Sequence, residues 1–233
     1  MKNMKKLLIV LALLPATIFA NEAKIDVSAP IDMSNHESLQ RGAKIFVNYC
    51  LSCHSANYMR YNRLQDIGLT EKQIKDNLVF AGEKVGETMQ VGMSQKDGKK
   101  WFGAAPPDLS VEVRARGADW VYAYLRGFYR DDTRPSGWNN TVFDKVAMPH
   151  VLYELQGVQE LNHETHQLEL VKAGRMNLQE YDAFVGDLTN YMAYMAEPKQ
   201  QNRKHTGILV LLFLGVLFVF AKKLKNEYWK DIK

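Results

Sequence analysis

Cysteine is nearly absent, with two in 233 residues, at positions 50 and 53. A disulfide framework spread along the chain is therefore excluded. Long apolar runs are scarce as well, and a mean hydropathy of −0.30 excludes a polytopic membrane protein. No internal repeat recurs, which removes solenoids and arrays. Compositional bias is missing too: 46% apolar and 24% charged residues lie near the globular average, against a disordered or fibrous chain. What is present is apolar material enough for one large domain or two small ones.

The formal net charge of +4 divides unevenly along the chain. Residues 1–20 carry Lys2, Lys5 and Lys6, then an apolar run from Leu7 to Leu14, then the small residues Ala16 and Ala20. That order predicts a secretory signal cut after Ala20. An uncleaved anchor is the rival, disfavoured because the apolar stretch is short for a span. Residues 206–221 (TGILVLLFLGVLFVFA) hold no charge over sixteen positions. As a helix they reach ~24 Å against ~30 Å of hydrocarbon. Lys204, Lys222 and Lys223 are placed to snorkel, and Tyr228 and Trp229 suit an interface. One transmembrane anchor with flanks is predicted over 203–223, and a basic tail over 224–233. Lysine excess in that tail puts it on the cytoplasmic side and the body outside. The body, 21–202, keeps 20 positive and 24 negative residues. A net −4 argues against nucleic acid as a partner.

The cysteines stand as Cys50-Leu51-Ser52-Cys53-His54. A disulfide or a thioredoxin-type dithiol would need only the two thiols, and the second expects an αβ context that the sequence does not offer. The histidine directly after decides between readings. C-x-x-C-H is the attachment sequence of c-type haem, in which both thiols form thioethers and the histidine sits under the iron. Zinc competes poorly, since no second Cys/His pair stands at ligand spacing. One covalent haem c is expected, held by Cys50 and Cys53, with His54 as fifth ligand. It leaves no thiol for a structural disulfide, so stability must come from packing around the haem.

Candidates for the sixth ligand are Met59, Met89, Met93, Met148, Met176, Met192 and Met195, with His36, His150, His163 and His166 behind them. Met192 and Met195 share a helical face with Tyr181, Phe184, Val185 and Leu188, which reads as core. Met59 lies too close to the attachment motif to reach the opposite face. Met89 and Met93 sit in a Gly-rich stretch predicted to form a hairpin turning at Asp97-Gly98. Met148 precedes Pro149, which holds residue 148 extended and stiffens its loop, after an irregular stretch, 131–147, suited to one haem wall. Met148 ranks first and Met93 second. A thioether ligand would raise the potential relative to two imidazoles.

The rest reads as mainly α. Asn35 caps a helix that runs into the haem motif, with Leu39, Gly42, Ala43 and Phe46 on one face and Gly42 open to a crossing helix. Residues 65–78 read as helical with a break at Gly68. Residues 111–116 and 119–129 read as helices, and Asn177 with Glu180 opens another that ends before Pro198. Residues 136–176 show no sustained period, and no strand pattern is strong enough to build a sheet.

Together, several segments resemble the cytochrome c1 family. They are the glycine and aromatic at Gly42 and Phe46 before Cys50-x-x-Cys53-His54, the late helix with Tyr191, Ala105-Pro106-Pro107-Asp108-Leu109-Ser110, Ala115-Arg116-Gly117 and Met148-Pro149-His150-Val151-Leu152. A single C-terminal span with a short basic tail completes the pattern, which covers about residues 35–230. The resemblance implies a cytochrome c-like single-haem domain with long loop insertions. It implies metal ligation by His54 and Met148, Arg116 against a haem propionate, and Pro106 and Pro107 lining the haem, one proline carbonyl orienting the His54 ring. It implies a cytochrome bc1 subunit, not an enzyme on its own, in a bacterial inner (cell) membrane with the haem domain in the periplasm. There it would take one electron from a Rieske iron–sulfur protein, pass it to a soluble periplasmic cytochrome c, and pack beside cytochrome b in the lipid bilayer. Between Asp131 and Lys145 no motif stands out. The rival readings are a membrane-tethered or oxidase-associated c-type cytochrome, which would lack the Pro-Pro and Met-Pro signatures, and a haem enzyme or sensor, which needs an open sixth position.

Overall fold

The computed structural model describes residues 25–231. The signal read over 1–20, with its cut after Ala20, lies outside these residues, as does Lys233 of the tail.

From Asn35, whose side chain accepts the Ser38 N–H at 3.0 Å, α1 runs over His36–Ile45. It widens into a π-helical turn, Phe46–Cys50, where the Leu51 N–H reaches back to the Phe46 carbonyl at 3.0 Å. Such wide turns often mark functional sites, and this one delivers Cys50 at its end. β1 (Ala56–Arg60) and a 3-10 turn (Tyr61–Ile67) follow, and Gly68 separates them from α2 (Glu71–Asn77), which opens on a Thr70/Gln73 capping box. Next come β2 (Thr88–Met89), α3 (Gln95–Phe102), α4 (Glu112–Arg116), α5 (Ala118–Arg126), β3 (Phe128–Arg130) and β4 (Trp138–Asn140). The single turn α6 (Tyr153–Gln156) leads into the hairpin β5 (Gly157–Leu161) and β6 (Leu168–Ala173). α7 (Leu178–Ala196) and α8 (Gln200–Tyr228) complete the path.

The frame is the crossing of α1 and α7. α7 starts where expected, on a capping box in which Asn177 accepts the Glu180 N–H and the Glu180 carboxylate accepts the Asn177 N–H. At the crossing, a Cβ on Gly42 would lie 2.1 Å from the Asp187 carbonyl oxygen and 2.5 Å from Tyr191 Cβ. Glycine thus sets the interhelical distance. Leu39, Ala43 and Phe46 are fully buried against Val185, Leu188 and Tyr191, with the Phe46 and Tyr191 rings 5.7 Å apart. Burial of each large apolar side chain contributes roughly 1.5–3 kcal/mol. α5 docks on α7 through a two-pronged ion pair, Arg126 to Asp182 at 2.6 and 2.8 Å, and through the Tyr181 hydroxyl donating to the Leu125 carbonyl at 2.9 Å.

Three expectations need correction. Sheets do form: β1–β2, β3–β4 and β5–β6 are separate antiparallel pairs. These strands are two to six residues long, and β6 is exposed along nearly all its length, so none shows a buried alternation in sequence. The helix expected over 119–129 ends at Arg126, and Phe128–Arg130 turns into β3. Asp97-Gly98 is not a hairpin turn but lies inside α3, whose Ser94 cap accepts the Asp97 N–H. A Cβ on Gly98 would meet Pro106 Cδ at 2.7 Å, so that glycine serves a close approach to the Pro-Pro segment.

α8 extends well past the uncharged run. Its 29 residues give ~43 Å of helix, longer than the ~30 Å hydrocarbon core. It is exposed on every face and is long and apolar enough to cross a membrane. Residues 224–228 of the expected tail are part of this helix.

Candidate haem site

The π-helical turn and the loop after it present Cys50, Cys53 and His54 to a cavity of about 290 Å³. Main-chain bonds close that loop, with the Cys53 and His54 N–H groups donating to the Cys50 carbonyl at 3.0 and 2.8 Å. His54 is 9% exposed. Its Nδ1 lies 2.8 Å from the Pro107 carbonyl oxygen. A carbonyl only accepts, so Nδ1 carries the proton and the Nε2 lone pair remains for a metal. Burial is the main influence on this imidazole and pushes its pKa down, against the Pro107 bond and the carboxylates of Glu112 and Asp108. The neutral ring is the ligating form. Burial, with Cys53 alongside, pushes the Cys50 thiol up to about 12.

Other elements supply the remaining walls. Pro106, Pro107 and Leu109 come from the extended segment before α4, and Glu112, Arg116, Trp120 and Tyr124 from α4 and α5. The irregular stretch contributes Phe143, Val146, Met148 and Pro149, and α7 contributes Leu188 and Met192. The carboxylate and the guanidinium in the lining are Glu112 and Arg116, which pair with each other at 3.2 Å. Arg116 is 46% exposed, with its guanidinium carbon 4.6 Å from the Trp120 ring centre and 5.7 Å from that of Phe143. The Tyr124 hydroxyl donates to Met148 Sδ at 3.4 Å, and burial pushes that phenol well above its usual range.

Of the sequence candidates for the sixth ligand, Met148 and Met192 reach this lining. Met59 and Met89 are buried away from it, and the Met89 sulfur accepts a bond from Tyr191. His150 stacks flat on Phe128 at 4.8 Å and meets Trp138 edge-on at 5.1 Å, behind the loop that carries Met148. Burial pushes its pKa down to about 4, partly offset by Gln156, so it is an uncharged packing group. Sequence reasoning passed over Tyr124, Trp120 and Glu112. Trp120 and Tyr124 stand four residues apart on α5, a spacing that puts them on one face.

The residues fit a covalent haem c. The lining is apolar, two thiols and a neutral imidazole share one wall, a thioether stands on another, and Arg116 offers a cation to a carboxylate. The model of the cytochrome c1 family matches residues 26–100 and 92–232. The chain belongs to the cytochrome c1 family. Members carry one covalent haem c and serve as the electron-transfer haem subunit of complex III, the cytochrome bc1 complex, which includes cytochrome b and a Rieske protein. The chain is 50% identical to cytochrome c1 of Allochromatium vinosum, covering 88% of each chain. It is 52% identical to a Nitrosomonas europaea protein named ammonia monooxygenase gamma subunit, covering 100% of each. A solved chain titled "Hyperthermophilic respiratory Complex III" aligns over 99% of this chain and 96% of its own, at 16% identity and a TM-score of 0.47. Membership of this family, together with α8, makes the protein a membrane-anchored subunit.

Proposed function

We propose that this chain takes one electron from the Rieske iron–sulfur protein and passes it to a soluble periplasmic c-type cytochrome. The observation that carries the reading is an apolar cavity that gathers the attachment motif, Met148 and Arg116 in one place. Haem, when bound, supplies a centre that changes by one electron with no substrate bond broken. The protein's part is to hold and insulate that centre. Cys50 and Cys53 anchor it, and His54, its Nδ1–H fixed by the Pro107 carbonyl, presents Nε2 as one ligand. Met148 presents a thioether as the other. Pro106 and Pro107 line the cavity and help exclude water, and Arg116 pairs with a propionate. In this reading residues 1–20 are removed on export, 21–202 face the periplasm, 203–223 anchor the chain in the inner membrane beside cytochrome b, and 224–233 end in the cytoplasm.

Purification from membranes under mild detergent tests the assignment. The chain is expected to bring cytochrome b and the Rieske protein with it in fixed ratio, and its haem to reduce when ubiquinol is added. A fully functional lone monomer would sink the proposal and favour a tethered carrier. The Nitrosomonas relative's name suggests a second reading, a subunit of an oxygenase. Against it stands the cavity, which offers a thioether and apolar walls where an oxygenase needs an open position. Copurification with oxygenase subunits in place of cytochrome b would favour it.

Arg116 gives a separate test. Arg116→Gln removes a positive charge beside the haem carboxylate, and the oxidised iron, which carries more positive charge, gains relative to the reduced. With a half-exposed charge worth about 1 kcal/mol at an intermediate dielectric, the midpoint potential is expected to fall by a few tens of millivolts. An unchanged redox titration would remove Arg116 from the site.

A further inference from the structure

With Met148 taken as the distal ligand, as proposed above, we infer that Tyr124 is a positioning residue that sets the potential by donating a hydrogen bond to the Met148 sulfur. The hydroxyl lies 3.4 Å from Sδ. A thioether sulfur has two lone pairs and accepts weakly. With Tyr124 on one of them, the other is left for iron, and the sulfur cannot turn its first lone pair to the metal without losing the bond. The donor also draws electron density from the sulfur. Ferric iron depends on donation from the sulfur more than ferrous iron does, so a sulfur with less density disfavours the ferric state and the bond raises the potential.

The position of the hydroxyl is set from three sides. The Tyr124 ring stacks on Trp120, centres 5.0 Å apart and planes 9° from parallel. It meets Phe128 edge-on at 5.1 Å, and its main-chain carbonyl accepts from Asn140 Nδ2 at 2.8 Å. Trp120 is in turn covered by the Arg116 guanidinium. A column of contacts therefore runs from Arg116 at the end of α4, through Trp120 and Tyr124 of α5, to the thioether. Tyr122, two residues earlier on α5, points its hydroxyl elsewhere, 3.5 Å from the Asp182 carbonyl oxygen.

The test is a redox titration of the full-length haem-loaded chain in membranes, carrying Tyr124→Phe or the control Tyr122→Phe. The weak sulfur-to-ferric-iron absorption band is recorded for each. Tyr124→Phe is expected to keep the band but shift it. At fixed ambient potential its reduced-to-oxidised ratio is expected to drop about two- to twelvefold, the worth of one hydrogen bond. Tyr122→Phe is expected to titrate with the unsubstituted chain. The inference is overturned if Tyr124→Phe titrates like the unsubstituted chain, or if Tyr122→Phe shifts as far. An unsubstituted chain without the band would instead remove Met148 as ligand, and this inference with it. A band lost on Met148→Ala but untouched by Tyr124→Phe overturns the inference alone.

Discussion

Met148→Ala is expected to lower the midpoint potential of the haem-loaded protein by about 0.1–0.3 V, within the roughly 0.8 V that axial ligands span in haem proteins. A thioether favours ferrous iron, and its loss leaves the sixth position to water or an added ligand. The reduced variant is therefore also expected to bind carbon monoxide at neutral pH, which the unsubstituted chain resists. The geometry makes the experiment discriminating, because Met192 lines the same cavity from α7. Met192→Leu is the informative companion. A fall in potential with that variant, and none with Met148→Ala, would move the ligand from the 148–149 loop to the helix. His150 is no rival, since its ring is fixed between Phe128 and Trp138.

The second large effect concerns stability. Gly42→Ala places a methyl 2.1 Å from the Asp187 carbonyl oxygen and 2.5 Å from Tyr191 Cβ, and neither is the far end of a flexible side chain. The helices must separate, and overpacking of this kind costs about 1–3 kcal/mol or more. For a domain of this size a 3 kcal/mol loss corresponds to a fall of roughly 6–12 °C in Tm. Haem retention is expected to fall too. α1 runs into Tyr49 and Cys50, and α7 supplies Leu188 and Met192, so the same crossing shapes the cavity. Gly86→Ala is the matched control, with nothing within 4 Å of its added Cβ. Equal melting of the two variants would show that the crossing is not set at Gly42.

Much of the frame is written in short-range patterns. The Asn177/Glu180 cap, the Asn35 cap, the break at Gly68 and the close approach at Gly42 each depend on residues within a turn or two, or on the lack of a side chain. The attachment motif is equally local, because two thioethers and a ligand from one loop demand fixed spacing. Where local pattern was weak the reading failed. Glycine beside aspartate suggested a turn at 97–98, but Gly98 is small to admit Pro106, a contact with a segment eight residues on. The short strands pair without burying an alternate face, so periodicity has nothing to report.

By itself the sequence determined the cofactor chemistry, the helical frame around it and one apolar anchor, because each rests on residues adjacent in the chain or repeated at a helical period. Tertiary structure alone decided which methionines reach the cavity, that His150 packs against Phe128 and Trp138 as a neutral ring, and that of the two prolines it is Pro107, 53 residues from His54, whose carbonyl holds the imidazole. It also decided that Tyr124 meets Met148 across 24 residues. Such pairings depend on how α1, α5 and α7 cross, and packing distances between helices are fixed by the sum of many buried contacts and by one missing side chain at Gly42.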